Sequence, residues 1–290
     1  MIKATIGPGG EPTLVASVGG TAVYLDNFAI RSIANGDSSL RQRFVAAIRS
    51  GADLVFSIAH AIELLNSDRV KAFLDELGDH WYPIEMVVQK VLKREDRGEP
   101  RDKCCFDQDL LKEYFANSTS EHLPGSCKVI DLSEGAFRLG AFVDWSGPRE
   151  ELIALRRKID EELSDGIRRL RDKAKKDPTW LDRELPAFPF KPSRPVRFAH
   201  TNLFRSLIAD RGYQMKKGDG IDFGHAVMAA AISSFATLDK QWKQRVEGLP
   251  RPNRVPRIYY EPEIPVMVTD IESHIGTNNG GVSHLSPVLA

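Results

Sequence analysis

The sequence predicts an α/β protein: a three-layer α/β/α sandwich around a central parallel sheet, interrupted by a long, mainly helical insertion. Three observations lead there. Short runs rich in β-branched and aromatic residues recur at 21–26 (TAVYLD), 52–57 (ADLVFS), 81–85 (WYPIE), 234–238 (SFATL) and 255–260 (VPRIYY). Stretches with helical periodicity separate most of them, which calls for crossover connections and therefore for parallel strands covered on both faces. Between residues 96 and 213 this alternation is lost, and the pattern there is helical.

Residues 1–20 are rich in Gly and Pro, with GPGG at 7–10, and read as an extended or loosely ordered lead. The run 21–26 is then a buried strand ending in an acid. Asp37-Ser-Ser starts an amphipathic helix that continues to Ser50. The second strand, 52–57, leads into a helix over 58–66 and, after Ser67-Asp68, another through Leu77. The third, 81–85, leads into a helix that fades in the charged KREDRGEPRDK stretch. Within the insertion, 149–176 carries the clearest helical pattern, with Leu152, Leu155, Ile159, Leu163, Ile167 and Leu170 on one stripe. Pro186, Pro189, Pro192 and Pro195 make a stiff, extended connector. The alternation resumes with a helix at 219–232, a strand at 234–238, a helix from Lys240 and a last strand at 255–260. The tail from Glu261 has four acids, no Lys or Arg and an NNGG run, and reads as peripheral or disordered. The chain thus divides into an extension (1–20), a first core half (21–95), the insertion (96–213), a second core half (214–260) and an acidic tail (261–290).

Composition narrows the function. Apolar residues at 42% and charged residues at 28% are those of a globular chain. Lys plus Arg and Asp plus Glu both total 40, so attraction to nucleic acid has to come from a local patch. Residues 166–217 supply one, with fourteen Lys or Arg against five Asp or Glu, interleaved with Trp180, Phe188, Phe190, Phe198 and Tyr213. That mixture serves either as a stacking platform for a single strand or as a set of anchors onto the core. Arg168, Arg169, Arg171, Lys216, Lys217 and Lys240 are the candidate phosphate contacts. Three cysteines (Cys104, Cys105, Cys127) without a CxxC pair argue against a disulfide scaffold and a cysteine zinc site, and fit a reducing cytoplasm. No secretory signal is visible, and the longest apolar-looking stretch, 226–238, is shorter than the ~20 residues a bilayer span needs. The expectation is a cytoplasmic protein with no membrane partner.

Ligands of open parallel sheets sit beyond the carboxyl ends of the strands, so acids there are worth collecting. Asp26 ends the first strand, Glu63 lies on the helix after the second, Asp222 opens the late helix and Asp239 follows the next strand. Asp219 and His225 share a face with Asp222, each three residues away. Like charges ~4 Å apart repel by roughly 4 kcal/mol at an effective dielectric of 20. A hard divalent cation removes that cost, and an all-carboxylate shell suits Mg²⁺ or Mn²⁺. The chemistry such a site serves is metal-assisted hydrolysis of phosphodiesters.

VYLDNFAI, FSIAHAIEL, GDGIDFGHA and FATLDKQW, in that order, resemble the PIN-domain nuclease family. Its pattern of strand-end Asp, helix Glu, helix-opening Asp and final Asp in a T-x-D context matches Asp26, Glu63, Asp222 and Asp239, with Thr237 as the motif threonine. The resemblance covers roughly 21–95 and 214–260. It implies a PIN-like sandwich and Mg²⁺- or Mn²⁺-dependent cleavage, of RNA ahead of DNA. Asp26, Glu63, Asp222 and Asp239 would be catalytic and metal-binding, Asp219 would assist with the metal, and Asn27, His225 and Thr237 would orient the carboxylates. The 118-residue insertion sets the chain apart from a minimal PIN toxin. It is the expected handle for substrate, a protein partner or a second copy.

Other chemistries fit less well. A haloacid-dehalogenase site needs an acid two residues after Asp26, where Phe28 stands. GPGG at 7–10 is followed by no Gly-Lys-Ser/Thr, so it is not a phosphate loop. Ser57 and His60 lack a placed acid partner. The rival readings are a structure-specific DNA nuclease, a toxin-type ribonuclease held by an antitoxin, and a PIN-derived binding module without activity.

Overall fold

The computed structural model describes the chain except residues 1, 7–11, 17–19, 65–66, 86, 108, 111–112, 114–137, 147–149, 251–254 and 281–290; of 2–6, 12–16, 102–103, 151–152 and 278–280 it describes the backbone alone. Cys127, GPGG and the end of the tail lie outside the described residues.

Five parallel strands form the central sheet: β3 (Thr21–Tyr24), β4 (Ala52–Ser57), β5 (Trp81–Ile84), β6 (Phe235–Thr237) and β7 (Arg257–Tyr259), in the order β5-β4-β3-β6-β7. The chain steps from β3 outward to β5, then returns to the other side of β3, pairing Val23 with Phe235 and Tyr24 with Ala236. Strand order therefore reverses between β3 and β6, the position at which open parallel sheets leave a crevice. The α/β class and the all-parallel sheet are as the sequence predicts, and the helices between the strands are compatible with a three-layer sandwich.

The helices of the first half are α1 (Asn27–Asn35), α2 (Ser38–Gly51), α3 (Ile58–Leu64), α4 (Asp68–Glu76) and α5 (Val88–Asp96). Asp37 and Ser67 cap α2 and α4 by accepting from Ser39 N–H at 2.9 Å and Val70 N–H at 3.4 Å. Helix α1 is not foreseen by the sequence reading, because Asp26 is taken there as a strand end. It is also the N-cap, and Ala29, Ile30, Ile33 and Ala34 form the buried stripe behind it.

The middle of the chain adds α6 (Arg101–Cys105), α7 (Leu139–Ser146), α8 (Glu150–Lys176), α9 (Trp180–Glu184) and α10 (Pro195–Ala209). These helices do not build a core of their own. Phe142, Ile167, Val196, Phe198, Leu203 and Leu207 belong to the same buried cluster as the sheet. Pro195 starts α10 at its first turn, where a missing N–H costs nothing. Buried Glu95 of α5 then receives the Val196 and Arg197 N–H groups at 2.8 and 2.9 Å. The proline-rich stretch before it has no helix or strand, as expected. Phe188, Phe190 and Tyr213 pack against the core cluster, so these aromatics are anchors.

After α11 (Asp219–Ile232) and α12 (Lys240–Glu247), one expectation is corrected. The tail is not peripheral: α13 (Ile264–Gly280) buries Ile264, Met267, Val268, Ile271 and Ile275 against α2 and β6, a helical stripe hidden behind low charge. Arg43 of α2 fastens it, meeting Glu272 at 2.5 Å. The lead is extended, the first of its two expected forms: β1 (Ile2–Ile6) and β2 (Pro12–Ala16) pair as an antiparallel hairpin.

Helix α11 approaches α8 at its first turn. Gly218 holds φ at +103°, which glycine alone adopts without strain, and a Cβ on Gly220 would lie 2.6 Å from Asp160 Cα. Gly220→Ala should therefore lower stability by about 1–3 kcal/mol in thermal denaturation. Gly224→Ala, whose nearest neighbour is Val88 Cγ2 at 3.8 Å, should be neutral or mildly stabilising. Equal behaviour of the two variants would mean that the α8–α11 contact is not tight.

Candidate active site

Asp26 lies just past the end of β3. Its carboxylate accepts from Asn27 N–H at 2.6 Å as the N-cap of α1, and its own N–H donates to Thr237 Oγ1 at 2.8 Å across to β6. Asp239 repeats the arrangement after β6, capping α12 through Trp242 N–H at 2.8 Å. Two adjacent strands thus each hand over to a helix through an aspartate, and both caps face the crevice between them.

Asp222 stands in the first turn of α11. Burial, then the charges of Asp26, Asp239, Asp219 and Glu63, push its carboxyl up to about 7. Asp26 is likewise pushed up to about 7 by burial, against the lowering effect of the Asn27 N–H, with Glu63 and Asp239 adding to the rise. The other four acids singled out from the sequence therefore all act on Asp222. Asp219, buried, is held by Lys216 N–H and the Tyr213 hydroxyl, which closes the loop before α11.

Glu63 is turned aside from the others. One of its oxygens pairs with Arg156 of α8 and the other accepts from Asn27 Nδ2, while Arg31 Nη2 reaches its carbonyl at 2.5 Å. Among the described residues, no group of three or more His, Cys, Asp or Glu side chains stands ready to hold a metal ion. The donor chemistry still suits a hard cation, since Asp26 and Asp222 are carboxyls whose ionisation is opposed by burial first and by neighbouring acids second.

His225, one turn on from Asp222, is buried with neither ring nitrogen bonded. Its ring centroid lies 4.7 Å from that of His60 and 5.8 Å from that of Tyr24. Burial pushes the His225 imidazole far below its usual value, with His60 and Arg156 adding to the effect, and pushes His60 down to about 4. Ser57 and His60 are hydrogen-bonded, Oγ to Nδ1 at 2.8 Å. The same nitrogen also accepts Ser57 N–H at 3.0 Å, so the pair locks the β4–α3 junction.

The candidate phosphate contacts divide. Arg171 is corrected to a structural role: it donates to the carbonyls of Leu207 (3.0 and 2.6 Å) and Tyr213 (2.6 Å), tying α8 to α10 and the loop beyond. Arg168 is exposed beside Asp165 at 3.2 Å, Arg169 is exposed, and Lys216, Lys217 and Lys240 face solvent. Two site residues were missed, Arg156 and Asp160. Asp160 accepts from Gly218 and Gly220 N–H at 2.8 and 2.7 Å, capping α11 from outside. The signal was a charged pair at i, i+4 on α8, beside its apolar stripe.

No protein-family model matches the chain, and no curated protein or solved structure matches it either. Among the described residues no helix is long and apolar enough to cross a membrane.

Both carboxyl shifts are upward. Through these two groups the folded chain binds more protons than the unfolded one between the ordinary carboxylate value and about 7, so their contribution to stability is lost as pH rises through that window. His60, His200 and His225, pushed down by burial, act in the opposite sense, so the comparison is made against wild type at each pH. In chelator, Asp222→Asn should raise Tm over wild type by on the order of 5 °C at pH 8 and by less at pH 5. An equal difference at both pH values would mean that Asp222 does not share in the repulsion.

Proposed function

We propose that the chain is a PIN-like nuclease that hydrolyses phosphodiester bonds with Mg²⁺ or Mn²⁺, acting on RNA ahead of DNA. The observation that carries this reading is the convergence of Asp26, Asp222 and Asp239 on the β3–β6 crevice, with two of the three pushed up to about 7. Cations of this kind, when bound, make water a better nucleophile and offset charge on the phosphate. Asp26, Asp222 and Asp239 would hold them, with Asp219 and Glu63 at the margin. The chain's own part is to keep these carboxylates fixed: helix caps hold Asp26 and Asp239, and Asn27 and Arg156 hold Glu63. Arg168, Arg169, Lys216, Lys217 and Lys240 remain to meet backbone phosphates, and a reducing cytoplasm would keep buried Cys104 and Cys105 as thiols.

A second reading, a binding module of PIN descent without activity, is favoured by one observation: Glu63 is already neutralised by Arg156. Cleavage of a labelled single-stranded RNA and its DNA counterpart in Mn²⁺ separates the two. Asn still caps a helix, so Asp26→Asn and Asp239→Asn should stay folded while losing about 100-fold or more of the activity. Equal cleavage by wild type and both variants would place the active site elsewhere. Cleavage by none, with no Mn²⁺-dependent rise in Tm, would leave the binding module.

A further inference from the structure

Among the described residues, Glu63 is the only one of the five acids that forms an ion pair. Arg156 of α8 takes one of its oxygens, and neither partner is buried: the two side chains are 34% and 23% exposed, Arg156 the more open. Ion pairs this exposed hold weakly and give way to a competing charge. Glu63 would not be stranded without Arg156, because Asn27 Nδ2 donates to its second oxygen. Arg31 Nη2 holds the Glu63 carbonyl separately at 2.5 Å, so a change of partner involves the side chain alone.

Arg156 is equally free to change. Among the described residues its guanidinium bonds Glu63 alone, which leaves most of its five N–H donors open. A cavity of about 540 Å³ lies beside this part of α8, lined by its Leu155 and Ile159 and by His200, Phe204 and Phe223 of α10 and α11. The turn that carries Arg156 is thus backed by open space. Asp160, bonded to the Gly218 and Gly220 N–H groups, and buried Ile167 hold the helix further along. The charge of Glu63 acts on both Asp26 and Asp222, so Arg156, in contact with it, stands at the edge of the acid cluster. A guanidinium with open donors in that place suits a phosphate, which it can bind through two parallel N–H···O bonds.

We propose that Arg156 and Glu63 exchange partners when nucleic acid binds. Arg156 leaves Glu63 for a backbone phosphate, and the freed Glu63 carboxylate joins Asp26 and Asp222 as a ligand for Mg²⁺ or Mn²⁺. The inference rests on the nuclease reading and says how that site is regulated: the cation site is incomplete in the free chain and substrate completes it. It accounts for acids gathered at one crevice with no three of the described ones ready to hold an ion. It also requires opposite effects on the two ligands. Arg156 weakens cation binding and strengthens nucleic-acid binding, and Glu63 does the reverse.

The test is a double-mutant cycle on the full chain with two readouts, neither of them cleavage. One is calorimetric titration with Mn²⁺ in the absence of nucleic acid; the other is binding of a labelled single-stranded RNA in EDTA. Arg156→Gln should bind Mn²⁺ about threefold or more tightly than wild type, since an exposed ion-pair competitor is gone. It should bind RNA about threefold or more weakly, with a log–log salt slope shallower by roughly 0.7. Glu63→Gln should bind Mn²⁺ more weakly and RNA more tightly. In the double variant the Mn²⁺ gain from Arg156→Gln should vanish, because no carboxylate is left to release. A gain that persists there reduces Arg156 to a charge acting through space and overturns the exchange. Unchanged or weaker Mn²⁺ binding by Arg156→Gln, or unchanged RNA binding, overturns it too. Tm in EDTA checks folding; if Arg156→Gln is unfolded, Glu63→Gln decides alone, and RNA affinity that fails to rise overturns the proposal. Any of these failures beside RNA cleavage by wild type in Mn²⁺ leaves the nuclease reading standing. No Mn²⁺ binding by wild type or any variant removes both.

Discussion

The bond from the Asp26 N–H to Thr237 Oγ1, 2.8 Å long, joins the ends of β3 and β6 at the point where strand order reverses. The strands on either side diverge in sequence by more than two hundred residues, and their ends would otherwise expose unpaired backbone groups to the crevice. Thr237 is fully buried, so its hydroxyl needs a partner, and the Asp26 N–H is that partner. One hydrogen bond thereby sets how far apart the caps of α1 and α12 lie, and with them the two aspartates. Loss of the hydroxyl would leave a buried donor unmet at the centre of the site.

Holding several carboxylates at one place needs compensation, and the fold provides it without an ion. Asp26 and Asp239 sit at helix N-termini, and Asp222 lies in the first turn of a third. Each N-terminus carries partial positive charge and free N–H groups, which favour an anion. What remains uncompensated, the cost of burial first and the repulsion between neighbouring acids second, appears as the raised Asp26 and Asp222 carboxyls. The dipoles are oriented backbone and do not move away when a ligand arrives, so the residual repulsion is available to any cation that enters. A cation bound there would draw on the same carboxylate oxygens that cap the helices.

Much of this was legible in the sequence. The five strands, α2, α8 and α11 follow from period, caps and β-branched runs, because each is governed by local chemistry. The acids were found by position alone, from the rule that binds ligands to strand ends. What escaped depended on partners remote in sequence. Helix α13 has only a weak amphipathic contrast, and nothing local says that α2 and β6 will cover it. Arg171 looks like a phosphate contact until Leu207 and Tyr213 arrive to accept from it. Glu63 reads as a ligand because the motif places it correctly; its turn toward Asn27 and Arg156 is a tertiary event.

Helix α8 unites these omissions. It lies beside α10 and α11, with Ile167 buried in the core, Leu163 packed against it and Leu155 and Ile159 facing the cavity, and that packing carries its polar residues to the site. Arg156 then meets Glu63, and four residues later Asp160 takes two N–H groups of the α11 turn that holds Asp219 and Asp222. A residue on one turn of α8 thus neutralises an acid, while one on the next fixes the backbone of two others. The helix cannot shift without breaking both contacts, so it belongs to the site as much as the strands do. An ion at the cluster would share Glu63 with Arg156 or displace it, and in either case its binding is coupled to the position of α8 and to the cavity that α8 encloses.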